Sequence, residues 1–170
     1  MTIRDAKEVD LPAIVAIHNA AIRSRISTAQ LDPVSVEERK SWLAEHSPGV
    51  YPLWIAEEGT RIAGWLSFQS FLPRNAYRGT AEISVYVGES FRRQGIGSAL
   101  VGKAIAQAPP LGLHTLVGLI FGHNEPSLRL FETMRFERWG MLPQIAQVDQ
   151  IGRDLIIVGR HVYSCSPTTK

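Results

Sequence analysis

The sequence predicts an α/β fold, a mixed sheet flanked by helices, and three observations carry that prediction. Apolar residues recur at helical spacing early in the chain and at a spacing of two from Leu53 onward. A strand rich in β-branched residues, Thr80 to Val87, runs into a glycine-containing turn and then a helix. Leu113 to Phe121 is a nearly continuous apolar run, as expected of a buried strand parallel to its neighbour. The resulting order, β-α-α-β-β-β-α-β-α-β-β, is that of a mixed sheet with helices packed on it.

Residues 2 to 5 read as a short edge strand. Asp10 is placed to cap a helix that carries Pro12 in its first turn and repeats Leu11, Ile14, Val15, Ile17, Ala21 and Ile22 on one face. His18 and Asn19 fall inside this helix, His18 being expected as a half-buried surface residue rather than a base. Ser24 to Pro33 has turn chemistry and no period, so it reads as a loop. Ser35 then opens a capped second helix that ends before Pro48-Gly49. Leu53 to Glu57, a Glu58-Gly59 turn and Arg61 to Phe68 form a hairpin. Phe71 to Gly79 is a loop into the central strand at Thr80. The helix after the glycine turn, read over Ser98 to Ala108, is stopped by Pro109-Pro110. Asn124 caps the next helix, with Pro126 in its first turn and Leu128, Leu130, Phe131 and Met134 facing inward. Two final strands are expected at Phe136 to Gly140 and Asp154 to Arg160. No internal repeat or low-complexity segment is present, so residues 1–163 read as a single domain and 164–170 as a frayed tail.

The chain has 170 residues, 45% hydrophobic and 20% charged, enough for one ordinary domain with a sizeable core. A net charge of +2 without a basic run argues against nucleic acid as a partner, so any anionic partner should be small. One cysteine, Cys165, offers neither a disulfide framework nor a Cys-based metal site, which fits a reducing cytosol. Charged Arg4, Asp5, Lys7, Glu8 and Asp10 precede any apolar run, and no stretch approaches the ~18 apolar residues of a membrane span. The expectation is a cytoplasmic protein with no membrane partner and no metal.

The most informative stretch is Thr80 to Leu100. Gly95 and Gly97 lack a Cβ, so the chain can turn sharply there and an anion can approach the main chain. The first N–H groups of the helix that follows are unpaired and attract negative charge, and Arg92 and Arg93 add two cations beside them. Such a cradle suits a pyrophosphate. A dinucleotide fingerprint is discounted because Leu100 stands where a third glycine belongs and no acidic residue follows about 20 positions on. The near match to an ATP-binding loop at Gly97 to Ala104 fails at Ala104, where a hydroxyl would have to hold magnesium.

Arg-x-x-Gly-x-Gly after a Val-Tyr-Val strand end resembles the acyl-CoA loop of the GNAT N-acetyltransferases. Asn124-x-x-Ser127, within Gly122 to Glu132, resembles the second CoA element of that family. Arg74 to Val87 and Trp139-Gly-Met-Leu-Pro143 narrow the resemblance to the phosphinothricin and methionine sulfone acetyltransferase branch, over Thr2 to about Arg160. The resemblance implies the acyl-CoA N-acyltransferase fold with a mixed, mostly antiparallel sheet. It also implies an enzyme that transfers acetyl from acetyl-CoA to the amine of a small amino-acid-like substrate by direct attack. Transfer to a protein or peptide N-terminus, and a CoA-binding module without turnover, are the alternatives. Branch members are commonly homodimers, so one is expected here, with the Phe71 to Arg78 loop or the C-terminal strands at the contact.

By the same resemblance the main chain of Val85, Tyr86 and Val87 holds the pantetheine arm as an added strand, the Val87 N–H facing the thioester oxygen. Arg92, Arg93, Gln94, Gly95, Ile96, Gly97 and Ser98 take the pyrophosphate, and Asn124 and Ser127 line the pantetheine. Glu82 interrupts an apolar strand and matches the acidic position of the family, making it the candidate general base; a salt bridge to Arg74 or Arg78 is its structural alternative. Glu82, Ser84 and Tyr86 share one strand face. Arg74, Asn75, Tyr77 and Arg78 precede that strand, where a guanidinium can hold the carboxylate of an amino-acid-like amine. Ser27 to Leu31 form the opposite wall, and His123 precedes the Asn cap.

Two positions depart from the family. Phe131 stands where many members carry a tyrosine that protonates the thiolate, and Asp149 where the branch carries a histidine. No protein acid is therefore assigned. A thiolate whose conjugate acid has a pKa of about 8.5 can leave unprotonated or take its proton from water.

Overall fold

In the computed structural model, which describes residues 1–163, the elements follow the predicted order. The expected tail, 164–170 with Cys165, lies outside the described residues. Strand β1 (Thr2–Asp5) leads to α1 (Leu11–Ser24) and α2 (Val36–Ala44), then β2 (Leu53–Glu58), β3 (Arg61–Ser70) and β4 (Thr80–Val87). Helix α3 (Ile96–Gln107), β5 (Thr115–Phe121), α4 (Glu125–Thr133), β6 (Glu137–Val148) and β7 (Ile151–His161) complete the chain. The seven strands form one sheet in the order β1-β2-β3-β4-β5-β7-β6. Among the described residues only β4 and β5 run parallel, so the sheet is mixed and mostly antiparallel.

Strand alternation sorts the apolar residues onto two faces. On one, α1 and α2 bring Ile14, Ile17, Trp42 and Leu43 over Leu53, Ile55 and Trp65. On the other, Ile96, Leu100, Val101 and Ala104 of α3 and Leu128 and Phe131 of α4 cover Leu66, Phe68, Ala81, Ile83, Leu116 and Ile156. Ser35 caps α2 through a capping box with Glu38.

Three sequence expectations change. Asp10 does precede α1, but its carboxylate does not cap that helix: it accepts from both ends of the Arg4 guanidinium, at 2.8 and 2.9 Å, and from the Lys7 N–H at 2.7 Å. An ion pair with β1 outbids a cap. His18 is only 5% exposed, because the buried face of α1 is wider than its apolar stripe. The last two strands are longer than their sequence pattern. Gly140 and Pro143 interrupt that pattern, and the strands absorb them as register shifts at Arg138/Gly140 and Leu142/Ala146 of the outermost strand, β6.

Gly64 ties the fold to the cleft described below. A Cβ there would lie 2.7 Å from the Tyr86 carbonyl oxygen and 3.2 Å from Cγ2 of Ile96. Gly64→Ala is expected to cost about 1–3 kcal/mol of stability by overpacking, read as a lower urea midpoint; an unchanged midpoint would show that β3 and β4 have room to part.

Candidate active site

Strand β4 is paired on one side only through its second half. β3 pairs with it from Ala81 to Val87, whereas β5 pairs with it only at Thr80, Ala81 and Glu82. Beyond Glu82 the parallel strands part. The Gly88 N–H donates to the Ala63 carbonyl at 2.9 Å. Main-chain groups alternate sides along an extended strand, so Ser84 and Tyr86 also face β3, while the N–H and C=O groups of Val85 and Val87 face the gap. Unpaired strand edges of this kind template an added extended chain.

The gap opens into a groove of about 800 Å³ bordered by Val85, Tyr86 and Val87, by Arg92, Arg93, Gly95, Ile96, Gly97 and Ser98, and by Asn124 and Ser127. Gly95, at φ 82°, is the N-cap of α3, a left-handed conformation that glycine adopts without a Cβ clash. The first closed helical bond is Ala99 N–H to the Gly95 carbonyl at 2.9 Å, so the N–H groups of Ile96, Gly97 and Ser98 have no intrahelical acceptor. Arg92 and Arg93 are exposed at the rim. Gln94 does not border the groove, its side-chain amide donating to the Ser90 carbonyl at 2.9 Å.

The start of α4 faces the same space. Asn124, 5% exposed, caps α4 by accepting from the Ser127 N–H at 3.2 Å. A small recess next to the groove is lined by Ser84, Tyr86, Asn124, Ser127 and Phe131. Two helix N-termini and an unpaired strand edge therefore converge on one space, with Phe131 contributing a ring that cannot donate a proton.

The other face of β4 carries Glu82, Ser84 and Tyr86. Glu82 is half-buried and makes no salt bridge among the described residues, to Arg74, Arg78 or any other cation. Burial pushes its carboxyl above the usual range, and the neighbouring Gln69 side chain opposes the shift. Tyr86 stacks on Trp65 at 4.5 Å between ring centroids and meets His18 edge-on at 5.1 Å. Burial also pushes the Tyr86 hydroxyl up, and Thr28 on the α1–α2 loop opposes it. His18 is held below the usual imidazole range, first by burial, against a hydrogen bond with Gln30, and its Nδ1 is buried without a partner. Its packing against Trp65 and Tyr86 gives this ring a structural role between α1 and the sheet.

Arg74, Asn75, Tyr77 and Arg78 all lie exposed in the loop before β4, Asn75–Tyr77 forming a 3-10 turn with Tyr77 against Phe71. No hydrogen bond or ion pair joins them to Glu82 among the described residues. His123 stacks on Phe121 and reaches the Arg25 carbonyl at 3.2 Å. Asp149 sits in the β6–β7 turn and pairs with Arg25 at 3.0 Å, while Arg25 donates to the Leu31 carbonyl at 2.6 Å, so this carboxylate steadies the Ser24 to Pro33 loop. Sequence reasoning missed the groove wall that Ile17, Ala20, Ala21 and Ser24 of α1 provide, because those positions carry no chemistry of their own.

A strand pair that opens beside two helix N-termini defines a protein built to hold an extended, anion-bearing chain against a carboxylate-bearing strand. The sequence model of the acetyltransferase (GNAT) family matches residues 14–136, and the chain belongs to that family; it is an acetyltransferase. A Bacillus subtilis protein provisionally named phosphinothricin acetyltransferase YwnH is 46% identical over 163 residues, covering 95% of this chain and 99% of that one. The L-methionine sulfoximine/L-methionine sulfone acetyltransferase of Pseudomonas paraeruginosa is 34% identical over 147 residues, 86% of each chain. Among solved structures, a GNAT superfamily phosphinothricin acetyltransferase from Sinorhizobium meliloti in complex with AcCoA superimposes with a TM-score of 0.90 at 26% identity, covering 99% of this chain and 91% of that one. Among the described residues no helix is long and apolar enough to cross a membrane, and no three His, Cys, Asp or Glu side chains cluster as a metal site.

Proposed function

We propose that this chain transfers the acetyl group of acetyl-CoA to the amine of a small amino-acid-like substrate of the phosphinothricin, methionine sulfone or methionine sulfoximine type, by direct attack. The observation that carries the proposal is the unpaired main-chain edge of Val85 and Val87 beside the starts of α3 and α4. Acetyl-CoA supplies an activated thioester carbonyl on a long, diphosphate-bearing arm. Arg92, Arg93 and Gly95 to Ser98 hold the diphosphate with main-chain N–H groups and two guanidiniums. Val85 and Val87 extend the sheet along the pantetheine, Tyr86 supplies the wall between them, and Asn124 and Ser127 line the opposite side. The Val87 N–H polarises the thioester oxygen as charge develops there. Glu82 accepts a proton from the attacking amine, directly or through water, and Arg74, Asn75, Tyr77 and Arg78 form the rim over the acceptor.

The reading extends to assembly and compartment. One domain spanning 1–163 pairs with a second copy through the C-terminal strands. The exposed apolar side chains Met141, Leu142, Ile145 and Ile151 on the terminal β6–β7 hairpin support this, since a long apolar edge strand is a liability in a monomer. One cysteine in the chain suits the reducing cytosol.

The test is calorimetric titration with CoA followed by thiol release from acetyl-CoA in the presence of methionine sulfone, methionine sulfoximine and phosphinothricin. Saturable CoA binding with amine-dependent thiol release is expected. Binding with no release for any of the three would leave a CoA-binding module, and no binding at all would remove the reading.

A further inference from the structure

Arg39 of α2 is a half-buried guanidinium whose hydrogen-bond partners are neutral, although the Glu38 carboxylate acts on it from the next position. Its Nη2 donates to Oε1 of Gln30 at 3.2 Å and lies 3.1 Å from Nε2 of His18, and its carbon lies 4.7 Å above the Trp42 ring. Among the described residues it has no carboxylate partner. Nε and Nη1 make no hydrogen bond among the described residues, so an open edge of the donor fork remains. A cation partly withdrawn from water with only neutral partners is costly, and an arriving anion relieves that cost.

The position of Arg39 says which anion. It is joined through His18 to Tyr86, and its charge and that of Glu82 both act on the Tyr86 hydroxyl, with opposite signs. Glu82 and Tyr86 point to the sheet face that α1 and α2 cover, and Arg39 of α2 reaches Tyr86 through His18. A zwitterionic amino acid carries the complementary pair: an amine for Glu82 and a carboxylate for Arg39. Gln30 and Thr28, from the loop expected as the opposite wall, complete that side. Arg74 and Arg78, in contrast, are exposed, where an ion pair contributes little.

Resting on the acetyltransferase function proposed above, we infer that Arg39 is the specificity-determining residue that receives the α-carboxylate of the acceptor amino acid. Gln30 positions it by accepting from one nitrogen of the fork, beside His18, which leaves the other edge free to receive the carboxylate.

The experiment compares methionine sulfone with its α-carboxamide in wild type, Arg39→Gln, Arg39→Lys and Arg78→Gln. Wild type is expected to show a KM for the carboxamide roughly 10- to 100-fold above that for the acid, the range that charge-assisted hydrogen bonds supply. Arg39→Gln should raise the KM for the acid by a similar factor while kcat and the constants for the carboxamide and acetyl-CoA stay within about twofold, and Arg39→Lys should recover part of the loss. Retained carboxamide turnover certifies that the variant is folded. Equal losses on acid and carboxamide in Arg39→Gln, or selectivity kept in Arg39→Gln but lost in Arg78→Gln, overturns the assignment. Wild type that treats acid and carboxamide alike overturns it while leaving the acetyltransferase reading intact. Wild type that acetylates neither removes the parent function and the assignment together.

Discussion

Glu82→Gln is expected to lower kcat/KM for the amino-acid acceptor by about 10²- to 10⁴-fold, the range for loss of a general base. The sign of its pH dependence follows from the setting of Glu82. Burial raises the carboxyl above its usual range, so the ionised, proton-accepting form is depleted as pH falls through that raised value. Wild-type kcat/KM should therefore decline on the acid side by tenfold per unit, and Glu82→Gln should lose that limb along with most of the rate. Stability should move the other way. A carboxyl whose folded pKa is raised holds its proton more tightly when folded, so its contribution is present below the unfolded pKa and is lost as pH rises through the folded one. Above that raised value the ionised Glu82 is a burden on the fold, and there Glu82→Gln should be at least as stable as wild type. A slow variant that is also unstable would mean that Glu82 serves the structure. A pH profile that keeps its acid limb would assign that limb to another group. Both readings come from one purified variant, a thermal melt and a rate profile.

The parts of this site that lie close together in sequence are legible there. The strand from Thr80, the glycine turn and the helix that follows are one continuous stretch, and the Asn124 cap is a local signal with Pro126 two residues on. Local propensity alone does not say that β4 and β5 separate after Glu82, because the separation belongs to a pair of strands some 30 residues apart. Side-chain role was less legible than main-chain role for the same reason. Gln94 falls within the loop motif but folds back on Ser90, while Arg39 looks like surface charge until Trp42, His18 and Gln30 gather around it. The final hairpin was under-read because Gly140 and Pro143 are strand breakers by propensity. They are tolerated on an edge strand, where an unpaired N–H costs nothing and a bulge has room.

Val87→Pro separates the two faces of β4 by chemistry. Proline removes one main-chain N–H, and the alternation fixed by the Gly88 to Ala63 bond puts the Val87 N–H in the gap rather than in the β3 ladder. The substitution therefore deletes no sheet hydrogen bond. If that N–H is the donor to the developing oxyanion, kcat should fall by about 10²- to 10³-fold, with the affinity for CoA little changed because the diphosphate cradle at Gly95 to Ser98 is untouched. Gly88→Pro is the matching control. Gly88 has φ −59°, which proline accepts, but its N–H donates to the Ala63 carbonyl at 2.9 Å. It should lose more than the ~1 kcal/mol of the missing ladder bond, because the ring Cδ is driven against the Ala63 carbonyl, and the loss is read as stability rather than as the loss of an oxyanion donor. The two substitutions differ by one residue and by the side of the strand on which they act, so opposite outcomes in rate and in stability are expected from near-identical changes in composition. A Val87→Pro enzyme that turns over at the wild-type rate would show that the thioester oxygen is polarised elsewhere, and a Val87→Pro chain that fails to fold would show that β4 needs that N–H for its own ladder.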